Sequence, residues 1–131
     1  MTALYTAIRD AYLASTLATT PLISDLWLIE APDNAVWPYA VVQLVNGNTD
    51  EFASNKKFSE NILMQFNLFS KTSDAAEILG IFAGLILCYD FAALTVGGYD
   101  LIGCVRESTM QTRVNKVWQI TVTYRIRLRK N

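Results

Sequence analysis

The stretch Trp118 to Asn131, WQITVTYRIRLRKN, constrains the fold more than any other. Trp118, Ile120, Val122, Tyr124, Ile126 and Leu128 take every even position; Gln119, Thr121, Thr123, Arg125, Arg127 and Arg129 take every odd one. Period-two alternation sends successive side chains to opposite faces. The stretch therefore reads as a strand with an apolar face on a core and a polar face turned away from it. Twelve such residues span roughly 40 Å. A globule of this chain length is about 36 Å across, so a straight strand ends at the surface or beyond it. Arg125, Arg127 and Arg129 then form a row about 13 Å long. Three readings of that row stand open: an edge strand using charge against aggregation, ion pairing with an acidic face of a neighbouring subunit or partner, and contact with nucleic acid.

The remaining elements follow from periodicity and turn chemistry. Leu4, Ile8, Ala11, Tyr12 and Ser15 form a helical stripe, which predicts an amphipathic helix over 3–18 ended by Thr19, Thr20 and Pro21. Leu26–Glu30 reads as a short strand. After a loop containing Pro32, Asp33 and Asn34, the run PYAVVQLV reads as a strand with apolar residues on both faces, hence covered on both sides. Residues 46–60, NGNTDEFASNKKFSE, are polar and turn-rich: either a long hairpin loop or a strand extension that orders against a partner. Ile62, Met64, Phe66 and Leu68 alternate as a third strand. Asp74 and Glu77 have capping-box spacing at the start of a second helix, with Ile78, Phe82, Leu85 and Tyr89 buried and Gly80 and Gly84 allowing close approach to the sheet. A strand at about 99–110 and a turn at Val114–Lys116 complete the order α-β-β-β-α-β-β. That order predicts a single α+β domain over 1–131 with a mostly antiparallel sheet and two helices.

Composition narrows the function. Apolar residues make up 52% of the 131 and charged ones 18%, against about 25% charged in an average domain. Such a surface is usually hidden in part by a partner or by further copies. Residues 1–105 hold four basic and eleven acidic side chains (−7), whereas 106–131 hold seven basic and one acidic (+6). This asymmetry suits nucleic acid, an acidic partner or head-to-tail self-association. The apolar run Ile78–Tyr89 is about 12 residues, against the roughly 20 that cross a bilayer, so a buried helix and no membrane contact are expected. The opening MTALYTAIRDAYL lacks the basic start and apolar centre of a signal peptide, so cytoplasmic synthesis is expected. Cys88 and Cys104 lack ligand spacing and sit in apolar stretches, as buried free thiols do.

The chain has no histidine. That removes the commonest general base, every Ser-His triad and most zinc sites. Gly97-Gly98 lacks the context of a phosphate cradle, and Asp50-Glu51, the one adjacent acidic pair, reads as a solvated loop tip. No enzyme, cofactor or metal is expected. The candidate functional residues are interface residues: Trp37, an aromatic in a loop before Pro38-Tyr39; Asp50, Glu51, Lys56 and Lys57 in the 46–60 segment; and Arg125, Arg127 and Arg129.

Several stretches carry a family resemblance: LYTAIRDAYL, then APDNAVWPYAVVQ with Ala-Pro ahead of Pro-Tyr, ENILMQFNLFS, the SDAAEI helix start, and the terminal VTYRIRLRK. The chain resembles the tail-terminator, or tail-completion, proteins of long-tailed bacteriophages and prophages. The resemblance covers nearly the whole chain in element order. It implies an α+β subunit that forms a ring, commonly a hexamer. The ring caps the tail tube, stops its polymerisation and docks to the head connector. Its partners would be further copies of itself, the tail-tube protein and the connector or stopper, with DNA only as a duplex passing the lumen. Such a protein is made in the host bacterial cytoplasm and ends in the virion. A head-completion or connector-adaptor role in the neck is the neighbouring alternative. A small nucleic-acid-binding accessory protein using the arginine face is the alternative from another class.

Overall fold

A computed structural model describes residues 2–52 and 57–130, with side chains described outside 48–52 and 57–59. In chain order the elements are α1 (Thr2–Leu13), α2 (Thr16–Thr19), β1 (Leu26–Leu28), β2 (Tyr39–Phe52), β3 (Lys57–Ser70), α3 (Ala76–Tyr89), β4 (Tyr99–Val114) and β5 (Val117–Lys130). The strands form one sheet in the order β1-β2-β3-β5-β4, antiparallel except for the β1–β2 pair. This is an α+β fold with the expected element order, plus one extra helical turn. The predicted helix over 3–18 breaks because the Ser15 hydroxyl donates to Tyr12 O at 2.6 Å and Ser15 adopts extended backbone, which restarts the helix as α2.

One face of the sheet carries all the helices. The even residues of β5 point into it: Ile120, Val122, Tyr124, Ile126 and Leu128 are buried beside Ile62, Met64, Phe66 and Leu68 of β3 and Ala40 and Val42 of β2. Leu4, Ile8 and Tyr12 of α1 and Ile78, Ile81, Leu85 and Tyr89 of α3 close the same core. Removing each such side chain from water contributes about 1.5–3 kcal/mol, which is why the period of the strands decides their orientation. Among the described residues, no helix is long and apolar enough to cross a membrane.

Several expectations are corrected. β5 is not an edge strand: it lies between β3 and β4, so its arginines do not guard an edge. The 46–60 segment is not a long loop over its described part, because residues 46–52 belong to β2 and 57–60 to β3, paired from Asn46↔Leu63 to Phe52↔Lys57. β2 is not covered on both sides: it is buried only over Ala40–Val42, and Leu44 and Val45 are 43% and 49% exposed, beyond the reach of the helices. The capping box does not form. Asp74 accepts from Ala76 N at 3.0 Å, while Glu77 accepts from the buried Ser70 hydroxyl at 2.7 Å. Gly84 does permit close approach, but to Leu17 and Leu22 rather than to the sheet, and Gly80 faces open space.

The β4–β5 turn is as short as a hairpin allows. Asn115 and Lys116 both have positive φ (52° and 64°), the backbone of a type I′ turn, which matches the twist of the strands it joins.

Candidate functional site

Opposite the helices the sheet shows a bare face, and the odd residues of β5 run along it. Cross-strand register builds its rows: Gln43, Gln65, Thr123 and Ser108 in one, and Val41, Asn67, Thr121 and Met110 in the next. Asn67 is the hub. Its side-chain oxygen accepts from Thr121 Oγ1 at 2.9 Å, Gln119 Nε2 at 3.2 Å and Gln65 Nε2 at 3.3 Å, which satisfies a polar group only 8% exposed. The result is an uncharged, hydrogen-bonded patch of amides and hydroxyls, flanked by the exposed Met110 and Val105.

The arginine row lies at one end of this face, and its three members have different surroundings. Arg125 is clamped: Nε and Nη2 donate to the two Glu107 oxygens at 2.6 and 3.2 Å, and Nη1 donates to Asn61 Oδ1 at 2.9 Å. The bidentate hydrogen bond from Arg125 holds the Glu107 carboxyl below its usual range, and the same contact raises the Arg125 guanidinium. Arg129 pairs with Asp100 at 3.6 Å. Arg127 is exposed and has no ion-pair partner among the described residues. Between β4 and β5, Ile102, Gly103, Val105, Glu107, Arg125 and Arg127 line a shallow groove of about 480 Å³.

These pairs change the meaning of the −7/+6 division. Arg106–Asp90 at 3.3 Å joins Arg125–Glu107 and Arg129–Asp100, so at least three of the seven basic residues after position 105 are matched within the chain. The sequence asymmetry is therefore only partly a spatial one.

The exposed clamp has a testable signature. Its contribution to stability is present above the unfolded carboxylate value of about 4.3 and is lost as pH falls through the lowered native value of Glu107. A Glu107→Gln variant should melt slightly below wild type at pH 7, and the difference should shrink as the pH is lowered below the unfolded carboxylate value and Glu107 takes up its proton. Equal melting at pH 7 would show that the clamp contributes nothing.

The other candidates fall in different places. Trp37 is half-buried against Tyr39 and Phe69, with ring centroids 4.8 and 6.3 Å away, and Lys71 Nζ lies 4.3 Å from its ring. This cluster is at the far end of the sheet from Arg129, since Phe69 pairs with Gln119 and Ser59 with Arg129. Asp50, Glu51 and Lys57 lie in β2 and β3 at the arginine end, Asp50 in the same cross-strand row as Arg129; their side chains are outside the described part. Lys56 lies outside the described residues. The candidates thus do not form one site.

Sequence reasoning missed Glu107, Asn61 and the Asn67 network. The turn predicts the start of the hairpin register, and continuing it unbroken sets Glu107 opposite Tyr124 on the helix side. A bulge between Arg106 and Ser108 adds a residue and places Glu107 beside Arg125 instead.

No family model matches the chain, and no curated protein matches it in sequence. In three dimensions it is similar to a chain from the virion of a native gene transfer agent particle, with a TM-score of 0.75 over 95% of this chain and 92% of that one. The two are 13% identical in sequence, so the likeness is one of fold.

Proposed function

We propose that this chain is a non-enzymatic structural subunit of a phage-like virion, and that it forms a ring closing the end of the tail tube and docking it to the head. The observation that carries this reading is the near-full-length correspondence of fold with a chain of a gene transfer agent virion. The bare face supports it. A mostly uncharged face, on which Arg125 and Arg129 are paired and Arg127 has no ion-pair partner among the described residues, suits a lumen passed by a duplex. Phosphates are drawn weakly, and no groove-reading element is offered. The partners are further copies, commonly six in a ring, the tail-tube protein and the head connector. The subunit is made in the host bacterial cytoplasm and carried into the virion.

The test is size-exclusion chromatography with light scattering over a range of concentrations, alone and with tail tubes. Rings, or monomers that assemble on tube ends, are the expected result. A protein that stays monomeric and never binds tube ends overturns the proposal. Binding to isolated heads but not to tubes would instead assign the chain to the connector side of the neck.

A further inference from the structure

The sheet has two unfinished edges at diagonally opposite corners. On one side β1 covers β2 only over Ala40–Val42, Ile29 N donates to Val42 O, and the Tyr5 hydroxyl accepts from Leu44 N. From Asn46 to Phe52 the outer edge of β2 has no strand beside it among the described residues. On the other side the segment after α3 covers the start of β4, where Phe91 N donates to Cys104 O. From Arg106 to Val114 that edge has no strand beside it among the described residues, and every residue is exposed on both faces. Bare edges template further strands, and soluble proteins blunt them with bulges, prolines or charge. Both bulges of β4 precede Ser108, and Ser108–Thr112 (STMQT) carries neither charge nor proline.

We propose that the β2 edge, Asn46–Phe52, pairs antiparallel with the β4 edge, Arg106–Val114, of a second copy of this chain. Successive copies then share one continuous sheet. This rests on the ring proposed above and names the surfaces that build it. The directions agree: β2, β3, β5 and β4 alternate, so a copy in the same orientation presents β4 antiparallel to β2 with its helices on the same side.

The offset sets the strand tilt of a closed assembly. Thr49 shares the helix-side row of Glu60 and Leu128, so a helix-side, outward-donating residue must come opposite it; the one that leaves room for β1 is Gln111, level with Ile120, eight residues along β5. Eight residues are about 26 Å along the strands. The neighbour's β4 shares a column with β1, so each copy adds four strand spacings, about 19 Å. Copies at equal height therefore hold their strands about 54° from the ring axis, a steeper tilt than the 35–45° of closed barrels. The shared column also brings the neighbour's hairpin tip to the end of β1. There Val114, 65% exposed, meets Ile29, 62% exposed, and Lys116 comes beside Glu30.

Two variants test the pairing. The Cys104 carbonyl points outward, and counting on through the bulge makes Thr109 and Gln111 outward donors as well. Gln111→Pro therefore removes an outward N–H and leaves the ladder to β5 intact. Ring assembly by light scattering should weaken about tenfold or more, with unchanged circular dichroism. In the second variant, Ile29→Cys/Val114→Cys, the two positions lie on opposite edges of one chain and cannot bridge within it. Oxidised rings should give a ladder of multimers on a non-reducing gel that neither single variant gives. Rings that persist undiminished in Gln111→Pro, or that yield no ladder, overturn the edge pairing alone. Wild-type protein that never assembles, with or without tubes, overturns the ring and the pairing together.

Discussion

Replacing Phe66 by alanine is expected to destabilise the protein by about 3–5 kcal/mol, a large share of the 5–15 kcal/mol typical of a whole domain. Phe66 is 1% exposed in the middle of β3, on the helix side. Its ring lies 4.6 Å from that of Tyr89 and meets Tyr124 edge-on at 5.6 Å. Each tyrosine ties in another part of the fold: Tyr89 donates to Ile8 O of α1 at 2.7 Å, and Tyr124 donates to the Asp90 carboxylate just after α3. Truncation removes the surface that both rings rest on and leaves a cavity between sheet and helices. Neither tyrosine can fill it without breaking its hydrogen bond. Urea unfolding with an unchanged slope is the measurement, and a melting point lower by about 10–20 °C is its thermal counterpart. A loss under about 1 kcal/mol would show that the core relaxes into the space and that this cluster does not hold the layers together.

Stability should also fall steeply above about pH 9. Burial holds five acids toward the protonated form in the native state: the Cys104 thiol is pushed from 9.0 up to about 11, the Cys88 thiol is raised as well, and the Tyr12, Tyr89 and Tyr124 hydroxyls rise above their ordinary 10.0. Tyr124 rises further because its partner Asp90 is negative. For each group the sign is the same. Below its unfolded value both states hold the proton and the full stability is present. Above it the unfolded chain releases a proton that the native state keeps, and stability falls by about 1.4 kcal/mol per pH unit per group until the native value is passed. Cys104 and Cys88 act from pH 9; the tyrosines join from pH 10. Urea unfolding at pH 8, 9.5 and 10.5 should show a slope that steepens across the series. A Cys104→Ala variant should weaken the first phase, Cys88→Ala/Cys104→Ala should lose it, and both should keep the second. Stability that stays flat from pH 8 to 10.5 would refute the account.

Much of the architecture is readable from local pattern because local pattern causes it. The alternation in β5 predicts which residues are buried, and all of Ile120, Val122, Tyr124, Ile126 and Leu128 are. The tight turn at Asn115-Lys116 follows from residues flanked by alternating runs. Errors gather where a non-local contact competes with a local preference. Glu77 has the spacing of a capping box, yet the buried Ser70 hydroxyl claims it, because an unpaired polar group in the core costs more than an exposed helix end. Ser15 continues a helical stripe in sequence, yet its hydroxyl bonds back to Tyr12 and ends α1. Residues 46–52 look like loop because they are polar; they are strand because β3 runs beside them and satisfies their backbone.

The candidate site divides in the same way. That Arg125, Arg127 and Arg129 share one face follows from period two alone. What each arginine does depends on its cross-strand neighbours. The sequence by itself determined the two faces of β5, the burial of one and the polarity of the other. Only the tertiary structure decided that β5 lies inside the sheet, that a bulge turns Glu107 onto Arg125, and that the bare edges belong to β2 and β4. Side-chain alternation is a property of one strand, whereas strand order and register depend on pairing between segments up to dozens of residues apart.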